Sequence, residues 1–141
     1  MSEDAIPYPL APFRVVVYGG RDYADRDCVF RWLDRLFAPR YPSDVEGRAG
    51  TWLPRPDLEL IFGGASGADQ HALDWAIVNW VKHRVYEAKW KESGKAAGVL
   101  RNQRMLDEGK PHMGVAFPGG RGTADMTARL RKARIPVLEV I

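Results

Sequence analysis

Glycine and arginine recur together along this 141-residue chain in a pattern that suits an anion. The segments are Tyr18-Gly19-Gly20-Arg21, Phe62-Gly63-Gly64-Ala65-Ser66-Gly67-Ala68-Asp69, Arg101-Asn102-Gln103-Arg104 and Phe117-Pro118-Gly119-Gly120-Arg121-Gly122-Thr123. Each stands between an apolar, strand-like run and a helical pattern, or at a helix start. A glycine pair directly after a strand turns the backbone tightly and admits a phosphate with no Cβ in the way. The helix that follows offers free N–H groups and the positive end of its dipole. The expected ligand is a nucleotide, held by Gly19, Gly20, Arg21 and Asp22, by Gly63, Gly64, Ala65, Gly67 and Asp69, by Asn102, and by Pro118, Gly119, Gly120, Gly122 and Thr123. Its phosphate is expected on the amides of Gly119-Gly120 and Gly122-Thr123, with Arg101 balancing the charge and the first turn facing base or sugar.

Several familiar chemistries are excluded by spacing. Gly63-Gly64-Ala65-Ser66-Gly67 is not the G-x-G-x-x-G dinucleotide fingerprint, and no G-x-x-x-x-G-K-[ST] phosphate loop occurs. Ser66 is not a nucleophile elbow, because Ala68 stands where the second glycine is required. Cys28 is the only cysteine, and with three scattered histidines it offers no zinc-ligand spacing. No metal and no cofactor are called for. His71 follows a glycine turn without an acidic neighbour in sequence and reads as structural. Asp69 reads either as the cap of the next helix or as a contact to a ribose hydroxyl, and Tyr23 as a ring able to stack on a base.

The elements that must position these turns follow from periodicity. Phe13 to Tyr18 is a β-rich run, and Val29, Trp32, Leu33, Leu36 and Phe37 then recur at helical spacing. Leu58 to Phe62 repeats the strand, and its helix is expected to bury Ala72, Leu73, Ala76, Ile77, Trp80 and Val81 on one face. Arg84 to Ala88 reads as an edge strand, with a helix from about Lys95 carrying Ala97, Leu100, Met105 and Leu106. Met113 to Phe117, a helix from about Thr123 to Ala133, and Val137 to Ile141 complete the chain. Strands alternating with helices imply an α/β fold, a parallel sheet of about five strands with helices on both faces. All the glycine turns then open on one edge of the sheet, the ordinary place for a ligand crevice.

An apolar content of 45% over this length fits one domain, 14–141, behind an N-terminal extension, 1–13. The connection at about 38–57 exceeds the roughly 2 to 6 residues usual between helix and strand and reads as a lid, a dimer contact or a plain insertion. The lone thiol suits a reducing, cytoplasmic setting. The N-terminus lacks a basic start with an apolar run, and no stretch reaches about 18 apolar residues, so neither a signal peptide nor a membrane span is expected. The net charge of +3 suits anionic partners, and the cluster Arg129, Arg131, Lys132 and Arg134 reads chiefly as a solvated helix face.

Pro118-Gly119-Gly120-Arg121-Gly122-Thr123 closely resembles the P-G-G-x-G-T signature of the SLOG superfamily. This Rossmann-like group includes the lysine-decarboxylase-like Lonely Guy proteins and the DNA-processing protein A family. Tyr18 to Tyr23, Gly63 to Asp69, and Gly94-Lys95-Ala96-Ala97-Gly98 with Arg101 to Met105 resemble its YspA-type, cpYpsA-related branch, in order from about Arg14 to Ile141. The resemblance implies a Rossmann-like doubly wound sheet, a homo-oligomer that is most simply a dimer, and a site for a nucleotide or an NAD- or ADP-ribose-like derivative that is sensed or processed. In the Lonely Guy enzymes P-G-G-x-G-T-x-x-E supplies a glutamate that works with an arginine on the N-glycosidic bond. Arg101 takes the arginine's place here, Met126 stands at the glutamate's, and Met cannot move a proton. Asp125, one residue earlier, is the substitute acid for an N-glycosidase, or else only complements the helix dipole. Arg101-Asn102 with Arg104 and the basic stretch Arg129 to Arg134 also resemble the DNA-processing relatives, which makes nucleic acid the alternative partner.

Overall fold

A computed structural model describes residues 12–37 and 57–141; the N-terminal extension and the long connection lie almost wholly outside them. The chain runs β1 (Phe13–Tyr18), α1 (Arg26–Phe37), β2 (Leu58–Phe62), α2 (Ala68–Val78), β3 (Lys82–Val85), α3 (Trp90–Ser93), a single 3-10 turn (Gly94–Ala96), α4 (Ala97–Asp107), β4 (Met113–Ala116), α5 (Arg121–Lys132) and β5 (Val137–Glu139). The strands form one five-stranded sheet in the order β3-β2-β1-β4-β5, every pair parallel.

Parallel strands are buried on both faces, which is why β1 and β2 read as unbroken apolar runs. Alternate residues of β1 then serve different cores. Val15 and Val17 pack with Leu60 and Phe62 against Val29 and Leu33 of α1 and Trp75 of α2. Val16 and Tyr18 pack with Ile61 against Met105 of α4 and Met126 and Leu130 of α5. Leu33 and Leu130 are fully buried, and truncating such a residue to alanine costs about 2–5 kcal/mol.

The apolar face of α2 differs from the expectation. Ala68, Ala72, Trp75 and Ala76 are its buried apolar residues, while Ile77 is 58% and Trp80 94% exposed. The cause is local. Asn79 closes the helix, its side-chain amide donating to the Trp75 carbonyl at 2.9 Å, and Trp80 then adopts φ 57, which throws its indole outward and sends Val81 into the core. The Trp75 indole N–H donates to Asp34 at 2.8 Å, a partner that a buried tryptophan needs. The third strand does lie at an edge, but it starts two residues before Arg84, and a short helix at Trp90 precedes the expected one. Leu100 is 51% exposed, so Ala97 and Met105 carry the buried face of α4. Among the described residues no helix is long and apolar enough to cross a membrane.

Candidate functional site

The chain leaves β1, builds β2 and β3 on one side, then returns to build β4 and β5 on the other. The helices after β1 and β4 therefore diverge, and a crevice opens between them at the carboxyl edge. A cleft of about 680 Å³ occupies that position, within the roughly 300–1,000 Å³ typical of small-molecule sites. Its walls bring together Gly19, Gly20, Arg21, Asp22, Ala65, Asp69, Arg101, Asn102, Pro118, Gly119, Gly120, Gly122 and Thr123. Gly63, Gly64 and Asp125 face an adjoining chamber instead, and Gly67 packs behind the first turn.

Backbone bonds lock the turns together. Phe117 N–H donates to the Tyr18 carbonyl at 2.8 Å, Gly20 N–H to the Pro118 carbonyl at 2.9 Å, and Ala68 N–H to the Gly20 carbonyl at 3.1 Å. The Ser66 hydroxyl donates to the Arg21 carbonyl at 3.0 Å, which gives that serine a structural task. Such close approach needs glycine. A Cβ on Gly20 would lie 3.0 Å from both the Gly119 Cα and the Pro118 carbonyl oxygen, and one on Gly67, at φ +72, would collide with the Gly20 carbonyl. Gly120 and Gly122 differ: a Cβ on either would meet nothing within 4 Å. Packing does not require them to be glycine, and both face the cleft.

Gly120 caps α5 without any side-chain hydrogen bond, and the first backbone bond across the helix start is Ala124 N–H to the Gly120 carbonyl at 3.0 Å. The amides of Arg121, Gly122 and Thr123 are thus left without helical acceptors, beside the positive end of the dipole.

Asp69 does not cap its helix, whose N-cap is Gly67. Its carboxylate, only 4% exposed, accepts the Gly63 N–H at 2.9 Å and is also bonded by the backbone of Ala65 and Gly19, so it ties the turns after β1 and β2. Burial pushes its pKa up to about 6, against those N–H donors and the nearby Arg101 charge. Arg101 donates to the Gly63 carbonyl and, at 3.1 Å, to the Asn102 side chain. Burial lowers its pKa; Asp69 pulls the other way, and the like charges of Arg104 and Arg21 add to the lowering.

Asn102 is a brace. Its amide donates to the Gly122 carbonyl at 3.2 Å and to Asp125 at 3.0 Å while its oxygen holds Arg101, so one side chain sets both the arginine and the start of α5. Asp125 also accepts from Arg129 at 2.8 Å. Burial opposes its ionisation, but the bonds from Arg129 and Asn102 outweigh it and hold the carboxyl below the usual range. Met126 is 1% exposed and forms part of the cleft wall with Tyr18 and Met105. The carboxylates lining the first chamber are accordingly Asp22 and Asp69. The His71 Nε2 donates to the Tyr23 carbonyl at 3.0 Å, a structural contact. Among the described residues no three His, Cys, Asp or Glu side chains are grouped as metal ligands would be.

Sequence reasoning left out Tyr18 and Met105 from this chamber and took in Arg121 only as part of the Gly119-to-Thr123 segment, with no role of its own. Tyr18 and Met105 had no signal beyond being apolar neighbours of the turns.

Fold and cleft together define a Rossmann-like α/β protein whose pocket lies at the switch point of its sheet. No protein-family model matches the chain. It is 35% identical over 136 residues, 89% of this chain and 94% of the relative, to Gene 61 protein of Mycobacterium phage D29, and it belongs to that protein's family.

Proposed function

We propose that this protein binds a nucleotide or nucleotide-derived small molecule in the carboxyl-edge cleft, as a SLOG-type protein of the YspA branch would. The observation that carries the reading is the pair Gly120 and Gly122, whose absent side chains leave open the space in front of the uncapped α5. A phosphate there meets free amides, the helix dipole and the Arg121 and Arg101 guanidinium groups, while Tyr23, partly exposed in the cleft wall, offers its ring to a base or sugar.

Cleavage of an N-glycosidic bond is the second reading. Asp125, the acid for that chemistry, is held by Arg129 and Asn102, and Asp69 is buried on the backbone N–H groups of the turns, so neither carboxylate is free to move a proton and this reading stands second. The nucleic-acid alternative is weakened by the basic stretch itself: Arg129 pairs with Asp125 and Arg131 with Glu139, each at 2.8 Å. A homodimer stays part of the proposal, and the exposed Ile77, Val78 and Trp80 at the end of α2 supply apolar surface for it; gel filtration tests that.

Native mass spectrometry with nucleoside monophosphates, NAD, ADP-ribose and a short oligonucleotide tests the function. A retained small-molecule adduct is expected. Released base identifies a glycosidase, and an adduct with the oligonucleotide alone overturns the proposal.

A further inference from the structure

The cleft does not end at Arg101. Beyond it a second chamber of about 700 Å³ opens between the carboxyl ends of β2 and β3 and the segment running from α3 into α4. Arg21, Arg101 and Arg121 line both chambers and form a neck between them. Among the described residues the Arg21 and Arg121 side chains have no hydrogen bond or ion pair, and Arg101 already feels Arg21 as a like charge. Asp69 offsets part of the Arg101 charge, and Asp22, Glu87 and Asp125 also line the chambers, but none of these carboxylates pairs with Arg21 or Arg121, so the guanidinium groups at the neck still favour an anion between them.

The far chamber has its own recognition surface. Trp90, the first residue of α3, lines it and is 53% exposed. Gly98 lies under the indole, where a Cβ would sit 3.6 Å from the Trp90 Cη2. The Lys95 ammonium also lines this chamber and has no partner among the described residues. A large indole left half uncovered in a concavity is a stacking platform for a flat ring. Each chamber alone has the size of a site for one small molecule, and the cationic neck joins the two.

We propose that the ligand is bipartite: two ring-bearing groups joined through a phosphate bridge. The bridge lies at Arg21, Arg101 and Arg121, one nucleoside occupies the first chamber, and the second ring stacks on Trp90. The inference rests on the nucleotide reading above and narrows it, since a mononucleotide would leave the second chamber unfilled.

Calorimetric titration of the full chain with AMP, ADP-ribose and NAD tests it, repeated on Trp90→Ala and Trp90→Phe. NAD, with two nucleosides on one pyrophosphate, is expected to bind about tenfold or more tighter than AMP, with ADP-ribose between them. Trp90→Ala should abolish that advantage and leave AMP affinity unchanged, while Trp90→Phe keeps most of it. Thermal melts of both variants establish that they fold. AMP binding with NAD no tighter, or a Trp90→Ala loss equal for both ligands, overturns the bipartite ligand and leaves the nucleotide site standing. Failure of AMP, ADP-ribose and NAD alike removes the nucleotide reading, and this one with it.

Discussion

The two ends of the sheet carry similar positive charge and treat it in opposite ways. At the amino end, Lys82 and Arg84 converge on Glu59, at 3.9 and 3.3 Å, and that carboxylate is 5% exposed. Arg84 also donates to the Gly109 carbonyl at 3.2 Å and the Tyr86 hydroxyl at 3.0 Å, and Arg14 donates to the Lys110 carbonyl at 2.8 Å. These cations work inside the fold. At the carboxyl end, Arg21 and Arg121 have no protein partner among the described residues, and Gly120 and Gly122, on either side of Arg121, lack side chains that packing would have tolerated. Basic residues alone therefore do not mark a site. The proposed site rests on basic residues that the fold leaves unpaired, next to space it leaves open.

The contrast extends to the glycines, and the largest expected effect separates its two kinds. Gly67→Val puts a branched side chain at φ +72 and against the Gly20 carbonyl, so urea denaturation should show a loss of about 3 kcal/mol or more. At the other end of the sheet, Glu59→Gln leaves Arg84 half-buried without its ion pair. A loss of about 1–2 kcal/mol is expected, the partial exposure of Arg84 softening the cost. Arg21→Ala and Arg121→Ala should stay within about 0.5 kcal/mol of the parent while weakening nucleotide binding. A large destabilisation from either would erase the distinction between the two ends.

Asp69 sharpens the comparison through pH. Its folded pKa of about 6 lies above the unfolded carboxylate value, so the folded state holds its proton more tightly. Ionised Asp69 thus costs stability above pH 6, and that cost is relieved as pH falls from 6 toward 4. Stability should rise across that window by about 2 kcal/mol on this group's account, and Asp69→Asn should flatten the profile. A profile unchanged by the substitution would show the carboxyl to be unshifted. Gly122→Ala, a substitution into open space within the first turn of α5, should also leave the fold nearly unchanged. Stability should change by less than about 1 kcal/mol, whereas nucleotide affinity, read by titration, should fall about tenfold.

Much of this arrangement was legible in the residues. β1 and β2 carry the expected bounds because strands buried on both faces write themselves as continuous apolar runs. The four glycine and arginine segments meet at one edge because parallel connections leave no other choice. Where the reading slipped, tertiary effects outweighed the local pattern. In α2, Trp75 and not Ile77 or Trp80 enters the core, because Asn79 stops the helix before Trp80 can join its face. Asp69, read as a helix cap or a ribose contact, does not cap α2 but ties two turns across the sheet edge through backbone donors at Gly63, Ala65 and Gly19. Asn102 and Asp125, singled out as ligand and catalytic groups, also brace α4 against α5, a pairing that only the folded helices create. Trp90 and Lys95 gave no site signal, since the chamber they share forms only when α3 and α4 fold over the ends of β2 and β3.

The central claim, that the carboxyl edge and not the amino edge receives an anionic nucleotide, is tested most directly by ¹⁵N-resolved titration with AMP. The largest amide shifts are expected at Gly120, Gly122 and Thr123, with smaller ones at Gly20 and Arg21 and none at Arg14, Lys82 or Lys110. Shifts centred on Arg14, Lys82 and Lys110, or none at the α5 start at saturating AMP, would contradict it.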